Sequence, residues 1–141
     1  MTETNYYYPV GAYRILLENG MRSELIPATT LYPVPFAPKW CAGLTSVHGD
    51  LCLVLDMHRI LFNQARPSKQ YSLWLQPEHF KDVVVSCDGL PVAIEYPSDD
   101  LKIETPTTLP SWVQQVWQDS QGLILQVSHV RLFSLLCSQK R

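Results

Sequence analysis

Prolines spread along the whole chain limit the length of every element that this sequence can form. The 141 residues contain 11 prolines but only 6 glycines. Proline lacks a backbone N–H and breaks helix interiors, so it is confined mostly to turns, connections and the edges of sheets. The segments between prolines are short and contain many apolar, β-forming residues. The sequence therefore predicts a mainly β barrel or sandwich of roughly seven to ten short strands, without long helices.

Apolar runs bounded by turn residues locate most of the predicted strands. Residues 6–17 are predicted to form two strands that meet at a turn around Gly11. Further strands are predicted at residues 71–77, 82–89, 90–97 and 122–128. The strands at 82–89 and 90–97 are predicted to pair as a hairpin, because Asp88-Gly89 at their junction is a typical type I′ turn sequence. The proline-bounded segments 27–40 and 98–110 are predicted to be irregular connections.

Three segments have apolar residues at helical spacing. Residues 18–26 are predicted to hold one helical turn, with Met21 and Leu25 on its inner face. Residues 111–118 have tryptophans and valines at helical spacing and are predicted to be helical, with a further strand as the alternative. Residues 129–139 are predicted to form a short terminal helix.

The central segment "WCAGLTSVHGDLCLVLDMHRIL", residues 40–61, predicts a β-hairpin. Apolar β-forming residues flank His48-Gly49 on both sides, and a glycine at the tip suits a tight turn. The second strand is predicted to continue through residues 58–61. Since both strands are apolar throughout, we expect them to be buried on both faces, so that only the tip around His48 makes contacts.

Charge and hydropathy exclude several classes of function. The net charge is −2 and the lysines and arginines are scattered, so we expect no binding to nucleic acid. No apolar run approaches the ~20 residues of a membrane-spanning helix, which argues against insertion into a membrane. The N-terminal "MTETNYYYPV" lacks the regions typical of a signal peptide, so a cytoplasmic location is expected. Charged residues are only 17% of the chain, which favours a surface that meets a partner.

The cysteines and histidines are the residues that most suggest chemistry, but their spacing does not support it. Cys41 and Cys52 are predicted to be offset along the hairpin, too far apart to share one ion, and no C-x-x-C element is present. Apolar neighbours should raise the pKa of Cys52, and an adjacent carboxylate disfavours a thiolate at Cys87. The sequence therefore predicts no catalytic residue, no metal site and no cofactor.

The segment "YPVPFAPKWCAGLTSVHGDLCLVLDMHRIL" resembles the central signature of the CheW-like domain, the receptor–kinase coupling module of bacterial chemosensory systems. The residues that match the pattern of that family are Pro35, Pro38, Trp40, Gly43, Leu44, Val47, Gly49, Val54, Leu55, Asp56, Ile60 and Leu61. Upstream, Glu24-Leu25 stands in the matching place, and downstream "VVVSCDGLPVAIEYP" is similar to a further segment. The "GLTSVHG" variant resembles the coupling proteins of type IV pilus (twitching motility) systems more than flagellar ones.

This resemblance implies a mainly β fold of two intertwined five-stranded SH3-like β-barrels, with short helices at the edges and the C-terminus. It implies one CheW-like domain over residues 1–141, ordered over about 5–138. The implied function is a non-enzymatic scaffold that links methyl-accepting chemoreceptors, through their cytoplasmic tips, to the regulatory domain of a histidine kinase. Such a protein is cytoplasmic and is recruited to membrane-associated receptor arrays. The implied protein-interface residues are Glu24, Ser46, Val47, His48, Gly49 and Asp50.

Two departures from the family pattern leave alternatives open. The tip arginine of the family is replaced by His48, and the preceding asparagine is replaced by Ser46. A permanently charged bidentate donor has thus become a group that titrates near neutrality. The second hypothesis is therefore a divergent CheW-like interaction module with a different protein partner. The third, a thiol enzyme or metal-binding protein, rests only on the cysteine and histidine content.

Overall fold

The computed structural model describes residues 5–18, 21–27, 30–64, 71–77 and 80–138, with the backbone alone at 137 and 138. Within these residues the fold is mainly β, as predicted. The strands are β1 (Asn5–Val10), β2 (Tyr13–Leu16), β3 (Arg22–Ile26), β4 (Cys41–Val47), β5 (Asp50–Leu55), β6 (Tyr71–Gln76), β7 (Val83–Cys87), β8 (Val92–Ile94), β9 (Lys102–Ile103), β10 (Val113–Asp119) and β11 (Gly122–Val127). The helices are α1 (Met57–Phe62), α2 (His129–Ser138) and a 3₁₀ turn at Asp99–Leu101.

The chain forms two compact units, each with its own sheet. The terminal unit contains residues 1–20 and 91–141, and the central unit contains residues 21–90. The sheet of the terminal unit has the order β8-β1-β2-β11-β10-β9, and that of the central unit has the order β3-β6-β7-β5-β4. Two small β units are what the family resemblance implies. One sheet has six strands instead of five, because the two-residue β9 pairs with β10 at its edge.

A buried arginine joins distant strands in the terminal unit. Strand β2 pairs antiparallel with β1 and parallel with β11, which forms a hairpin with β10. Arg14 on β2 forms a bidentate ion pair with Asp119 at the end of β10, and its Nη2 also donates to the Gly122 carbonyl oxygen at 3.1 Å. These bonds fix the β10–β11 turn against β2. The apolar core beside them contains Leu16, Trp117 and Ile124.

The central unit is built around the predicted hairpin. Strands β4 and β5 pair antiparallel, with Thr45 opposite Cys52 and Val47 opposite Asp50. Strand β5 then pairs parallel with β7, and β6 lies between β7 and β3. The core of this unit consists of Ile26, Val47, Cys52, Val54 and Val84. The hairpin prediction is therefore confirmed, including its turn.

Residues 18–26 do not contain the predicted helical turn within their described part. Residues 22–26 form β3, which pairs with β6 along its whole length. Leu25, which was assigned to an inner helical face, is 38% exposed. The apolar pair at i and i+4 misled the prediction, because the segment is an edge strand whose pairing comes from residues about 50 positions later in the chain.

The predicted strand at residues 58–61 is a helix. Strand β5 ends at Leu55, and the Asp56 side chain accepts a hydrogen bond from the Arg59 N–H at 3.2 Å, which caps α1. Asn63 ends the helix in the left-handed conformation, with φ of 54°. An aspartate before the first turn is a typical N-cap, and it outweighs the continued apolar pattern.

The helix predicted at residues 111–118 is wrong, and the alternative of a strand is right. These residues belong largely to β10, which has a β-bulge between Val113 and Gln115. The extra residue of a bulge breaks strict alternation, so Val113 and Val116 are buried three positions apart, as on a helix. Val116 and Trp117 are both buried, which shows that the strand is covered on both faces.

The hairpin predicted at Asp88-Gly89 is also wrong. Strand β7 belongs to the sheet of the central unit, whereas β8 pairs with β1 in the terminal unit. The turn therefore leads out of one sheet instead of folding back along it. Pro91 lies between the two strands and cannot donate a ladder hydrogen bond, which disfavours a tight hairpin there. The terminal helix predicted at residues 129–139 is confirmed as α2.

Candidate functional site

The tip of the β4–β5 hairpin is a strained turn that is exposed to solvent. His48 and Gly49 both have positive φ, 50° and 88°, the pattern of a type I′ turn. A Cβ at Gly49 would meet no atom within 4 Å, so this glycine is required by backbone conformation and not by crowding. Ser46, His48, Gly49 and Asp50 are all exposed.

Val47 differs from its neighbours because its side chain is buried. It is 4% exposed and packs in the core of the central unit with Cys52 and Val54. Only its backbone is therefore available to a partner, and the side chain anchors the turn. On the same strand, Gly43 has φ of 138° and its Cβ position lies 2.8 Å from the Tyr32 carbonyl oxygen. This close approach lets Tyr32 pair with Leu44 and fixes the start of the hairpin.

Glu24 meets the tip from the other edge of the same sheet. The His48 Nε2–H donates to Glu24 Oε2 at 3.2 Å, and both side chains are more than half exposed. Strand β3 is the first strand of the sheet order and β4 is the last, so the sheet must curl for this contact to form. The structure thus brings together two residues, 24 positions apart, that the family resemblance had placed in one interface.

Trp74 also contacts this surface, although the sequence did not identify it. It lies directly opposite Glu24 on β6, and its ring centroid is 4.8 Å from that of His48 at a tilt of 51°. Its indole Nε1 is buried, and no hydrogen-bond partner is found for it in the described part of the chain. Strand alternation in "YSLWLQ" fixes which face Trp74 shares with its neighbours, but not which strand lies beside it.

A leucine extends the exposed surface along β5. Leu51 is directly opposite Ser46 in the hairpin and is 66% exposed. The prediction that both hairpin strands are buried on both faces is therefore wrong at this position. Strand β7 pairs with β5 only from Leu53 onward, so the first residues of β5 extend beyond it. We call Glu24, Ser46, His48, Gly49, Asp50, Leu51 and Trp74 the tip surface.

The hydrogen bond between His48 and Glu24 is weak enough for a partner to replace it. An exposed ion pair of this kind contributes about 0–1 kcal/mol, because water competes for both groups. The imidazole is held by the Trp74 ring on β6 and by the Glu24 carboxylate on β3, which fixes its position beside the turn. The tip surface therefore offers a hydrogen-bonding ring, carboxylates and apolar side chains to a protein partner.

Two thiols of the central unit, those of Cys52 and Cys87, are not activated. Burial, and secondarily the charges of Asp82 and Asp50, raise the pKa of the Cys52 thiol. Burial raises the pKa of Cys87 to about 11, and its Sγ–H donates to the Gly89 carbonyl oxygen at 3.3 Å. Thiols with raised pKa values are poor nucleophiles at neutral pH. Among the described side chains, no three histidine, cysteine, aspartate or glutamate residues are arranged to hold a metal ion.

His58 has a structural role. Its Nε2–H donates to Asp88 Oδ2 at 3.1 Å, and the histidine side chain is 9% exposed. This contact ties α1 to the end of β7, and the Met57 N–H donates to Ser86 Oγ beside it. Cys41 lies opposite Leu55 and Cys52 lies opposite Thr45, so the two cysteines are offset along the hairpin by four residues of β4, as predicted. The cysteines and histidines of residues 40–61 are thus not gathered at one site.

Comparison with known proteins identifies the fold. No protein-family model matches the sequence. No curated protein matches it either. The structure is similar to the crystal structure of the scaffolding protein TtCheW from Thermoanaerobacter tengcongensis, with a TM-score of 0.70 and 12% sequence identity. The match covers 91% of this chain and 90% of that chain. The chain therefore has a CheW-like fold, as the resemblance implies. In the described residues, no helix is long and apolar enough to cross a membrane.

Proposed function

We propose that this chain, whose fold is CheW-like, is a non-enzymatic scaffold of a chemosensory system. The observation that carries the proposal is the fold likeness to a scaffolding protein over about nine-tenths of both chains. The raised pKa values of the Cys52 and Cys87 thiols support a role without covalent chemistry. In this proposal residues 1–141 act as one module and need no cofactor.

The tip surface is the proposed contact with a protein partner. It combines a positioned imidazole, two exposed carboxylates at Glu24 and Asp50, and the exposed Leu51. An apolar group beside weakly satisfied polar groups favours a modest, reversible protein interface. Asp50 and Glu24 carry negative charge, so a basic residue on the partner would add favourable steering to the contact.

The proposed partners are the regulatory domain of a histidine kinase and the cytoplasmic tip of a methyl-accepting chemoreceptor. The protein would then be cytoplasmic and would be recruited to membrane-associated receptor arrays. A type IV pilus system is the proposed context, on the basis of the "GLTSVHG" sequence variant. No interaction with nucleic acid is proposed, since the net charge of −2 comes without a basic cluster.

Isothermal titration of the full chain with a histidine-kinase regulatory domain and a chemoreceptor tip from the same organism tests the proposal. We expect saturable binding to at least one of them, and a loss of about ten-fold in affinity in Asp50→Ala, equivalent to ~1.4 kcal/mol. Gln121→Ala, at the exposed tip of the β10–β11 hairpin, is the matched control and should bind as the wild type does. Absence of binding to both partners at about 50 μM would contradict the proposal.

A divergent interaction module with a different partner is the second candidate, favoured by one observation. His48 replaces the arginine of the family signature, and its imidazole already donates to Glu24. Under this hypothesis His48→Arg strengthens binding to the chemosensory partners, because arginine restores a permanent bidentate donor. Gln121→Arg adds a positive charge at the tip of the β10–β11 hairpin and controls for a general charge effect. If neither His48→Arg nor His48→Ala changes the affinity, the tip is not the contact.

A further inference from the structure

Phe36 is the most exposed large apolar side chain in the described part of the chain. It is 93% exposed, whereas the next, Leu51, is 66% exposed. Single exposed apolar residues are common on protein surfaces and need no functional explanation. Phe36 differs from them because its backbone conformation is also unfavourable for an aromatic residue.

The backbone of Phe36 is in the left-handed region, with φ of 60°. The Ala37 N–H donates to the Val34 carbonyl oxygen at 3.2 Å, so Pro35 and Phe36 are the central residues of a β-turn. Proline followed by a residue of positive φ is the pattern of a type II turn, which favours glycine or asparagine at the second of these positions. A bulky residue there is strained. The turn therefore holds a residue that the local fold does not favour and that does not pack in the core.

The turn at Phe36 is held at both of its ends. Before it, Tyr32 and Leu44 on β4 pair through two backbone hydrogen bonds, of 2.8 and 2.9 Å. After it, the Trp40 carbonyl oxygen accepts from the Asp56 N–H at 2.8 Å. Three prolines between these two contacts further restrict the backbone. The ring is thus presented by a pre-organised loop, which lowers the entropy lost when a partner fixes it.

The charge near Phe36 is opposite to that of the tip surface. Lys39 is exposed, and it is the one charged residue between positions 30 and 47 of the sequence. The tip surface instead carries the carboxylates of Glu24 and Asp50. A partner whose charge complements the tip surface does not complement the turn at Phe36. The two surfaces are therefore suited to two different partners.

We propose that Phe36 inserts into an apolar pocket, bordered by a carboxylate, on a protein that does not bind the tip surface. This inference rests on the proposed function, since a scaffold that links two proteins needs two separate contact surfaces. The phenyl ring fills the pocket, and Lys39 pairs with the carboxylate at its rim. Aromatic side chains in pockets are typical hot spots of protein interfaces. Backbone strain that is retained outside the core is characteristic of binding sites.

Isothermal titration of the full chain measures its affinity for two probes, a histidine-kinase regulatory domain and a chemoreceptor tip from the same organism. We expect Phe36→Ala to lose about ten-fold or more in affinity for one probe, and Asp50→Ala to weaken binding of the other probe only. Leu135→Ala removes an exposed apolar side chain on α2 and should bind both probes as the wild type does. Unchanged affinity of Phe36→Ala for both probes overturns the proposal. A loss for the same probe that Asp50→Ala weakens also overturns it.

These titrations separate a failure of this inference from a failure of the proposed function. If the wild type binds neither probe, both fail. If the wild type binds and Phe36→Ala binds equally well, only this inference fails, because binding through the tip surface does not require Phe36.

Stability measurements separate a binding role of Phe36 from a structural one. An exposed ring contributes little to the folded state, so the urea midpoint of Phe36→Ala should lie within about 0.3 M of the wild type. Phe36→Asn also removes the ring but suits the left-handed conformation, so it should be at least as stable as the wild type and lose the same affinity. A larger drop in the midpoints of both variants would show that the ring is structural and would overturn the proposal.

Reversing the charge of Lys39 tests the carboxylate at the rim of the pocket. Lys39→Glu should weaken binding of the probe that Phe36→Ala weakens, and the loss should decrease with added salt, which screens exposed charges. Lys81→Glu makes the same change at another exposed lysine of the central unit and is the matched control. Equal effects of the two reversals overturn the assignment of a carboxylate to the rim.

Two other occupants of the Phe36 turn are outcomes that overturn the proposal. One is a lipid surface, shown if the wild type but not Phe36→Ala sediments with vesicles of phosphatidylglycerol and phosphatidylcholine. The other is a second copy of this chain, shown if sedimentation velocity finds a dimer that Phe36→Ala abolishes. We expect neither result to depend on Phe36, because one ring and one lysine provide too little apolar area and charge to anchor a protein to a membrane.

Discussion

The ion pair between Arg14 and Asp119 should make Asp119→Asn one of the more damaging polar substitutions in this chain. The side chains are 10% and 28% exposed, so the pair lies between a surface and a fully buried one. An exposed pair contributes about 0–1 kcal/mol, and removing one partner of a buried pair costs about 3–5 kcal/mol. We therefore expect Asp119→Asn to lower the free energy of unfolding by about 2 kcal/mol. Arg14 would then keep a buried charge whose Nε already has no partner among the described residues.

The double variant Arg14→Met/Asp119→Asn provides the matched control. Methionine fills the volume of the arginine stem without a buried charge, so the double variant should be more stable than Asp119→Asn alone by about 1 kcal/mol. Urea unfolding followed by tryptophan fluorescence measures all three proteins, because Trp117 is buried in the same unit. A single variant within about 0.5 kcal/mol of the wild type, or a double variant no more stable than the single one, would refute the reasoning.

The loss of stability in Asp119→Asn should depend on pH, in a direction set by the pKa of Asp119. The hydrogen bond from Arg14 holds the pKa of Asp119 below its ordinary value, against a smaller opposing effect of burial. A carboxylate with a lowered pKa in the folded state stabilises the protein above its unfolded pKa and loses that contribution as the pH falls through the folded value. The stability gap between wild type and Asp119→Asn should therefore narrow as the pH drops below about 4. A gap that widens in acid would contradict this assignment.

Further predictions concern glycines, a thiol and a second carboxylate. Gly49→Ala should lower the free energy of unfolding by about 1 kcal/mol, from the strain of a left-handed backbone alone. Gly43→Ala should cost more, because its Cβ would also meet the Tyr32 carbonyl oxygen. Equal losses of stability in thermal unfolding would contradict this. Cys87 should resist alkylation by iodoacetamide in the folded protein at pH 7, since its pKa is raised to about 11; labelling as fast as in urea would disprove it. Glu18→Gln should be less stable than the wild type at pH 7. Burial acts to raise the pKa of Glu18, but hydrogen bonds from His129 outweigh it and lower the pKa in the folded protein, so this difference in stability should shrink below about pH 4. A difference in urea midpoints that does not change with pH would contradict the prediction.

Local patterns in the sequence were sufficient for the hairpin and the terminal helix. The β4–β5 hairpin follows from apolar β-forming residues around a turn glycine, and α2 follows from apolar residues at helical spacing. Both signals lie within one short segment, so no distant partner is needed to interpret them.

Elements whose pairing depends on distant residues were predicted less well. Strand β8 follows β7 after a turn-like Asp88-Gly89, but it pairs with β1, about 90 residues earlier, in the other unit. Strand β10 contains a bulge, and its buried residues therefore mimic a helical spacing. Pro91 disfavours the tight hairpin, but no local signal shows that β8 pairs with β1 or that β10 contains a bulge.

The candidate site shows the same division. His48, Gly49 and Asp50 were identified because they occupy the turn of a predictable hairpin, and Glu24 because of the family resemblance. Trp74 was missed because its contact with His48 requires the sheet to curl until β3 and β6 reach the tip. Val47 was included for its position in the sequence, yet the alternation of β4 directs its side chain into the core.

The signal of the Trp74 indole N–H tests most directly whether the tip surface is the contact with the kinase regulatory domain. The ¹⁵N-labelled full chain would be titrated with that domain, and the indole signal would be compared with the backbone signals of Ser46, Gly49 and Gln121. Our account predicts that the signals of Trp74, Ser46 and Gly49 shift or broaden together. The signal of Gln121, at the tip of the β10–β11 hairpin, should not move. Binding that moves Gln121 and leaves Trp74, Ser46 and Gly49 unchanged would contradict it.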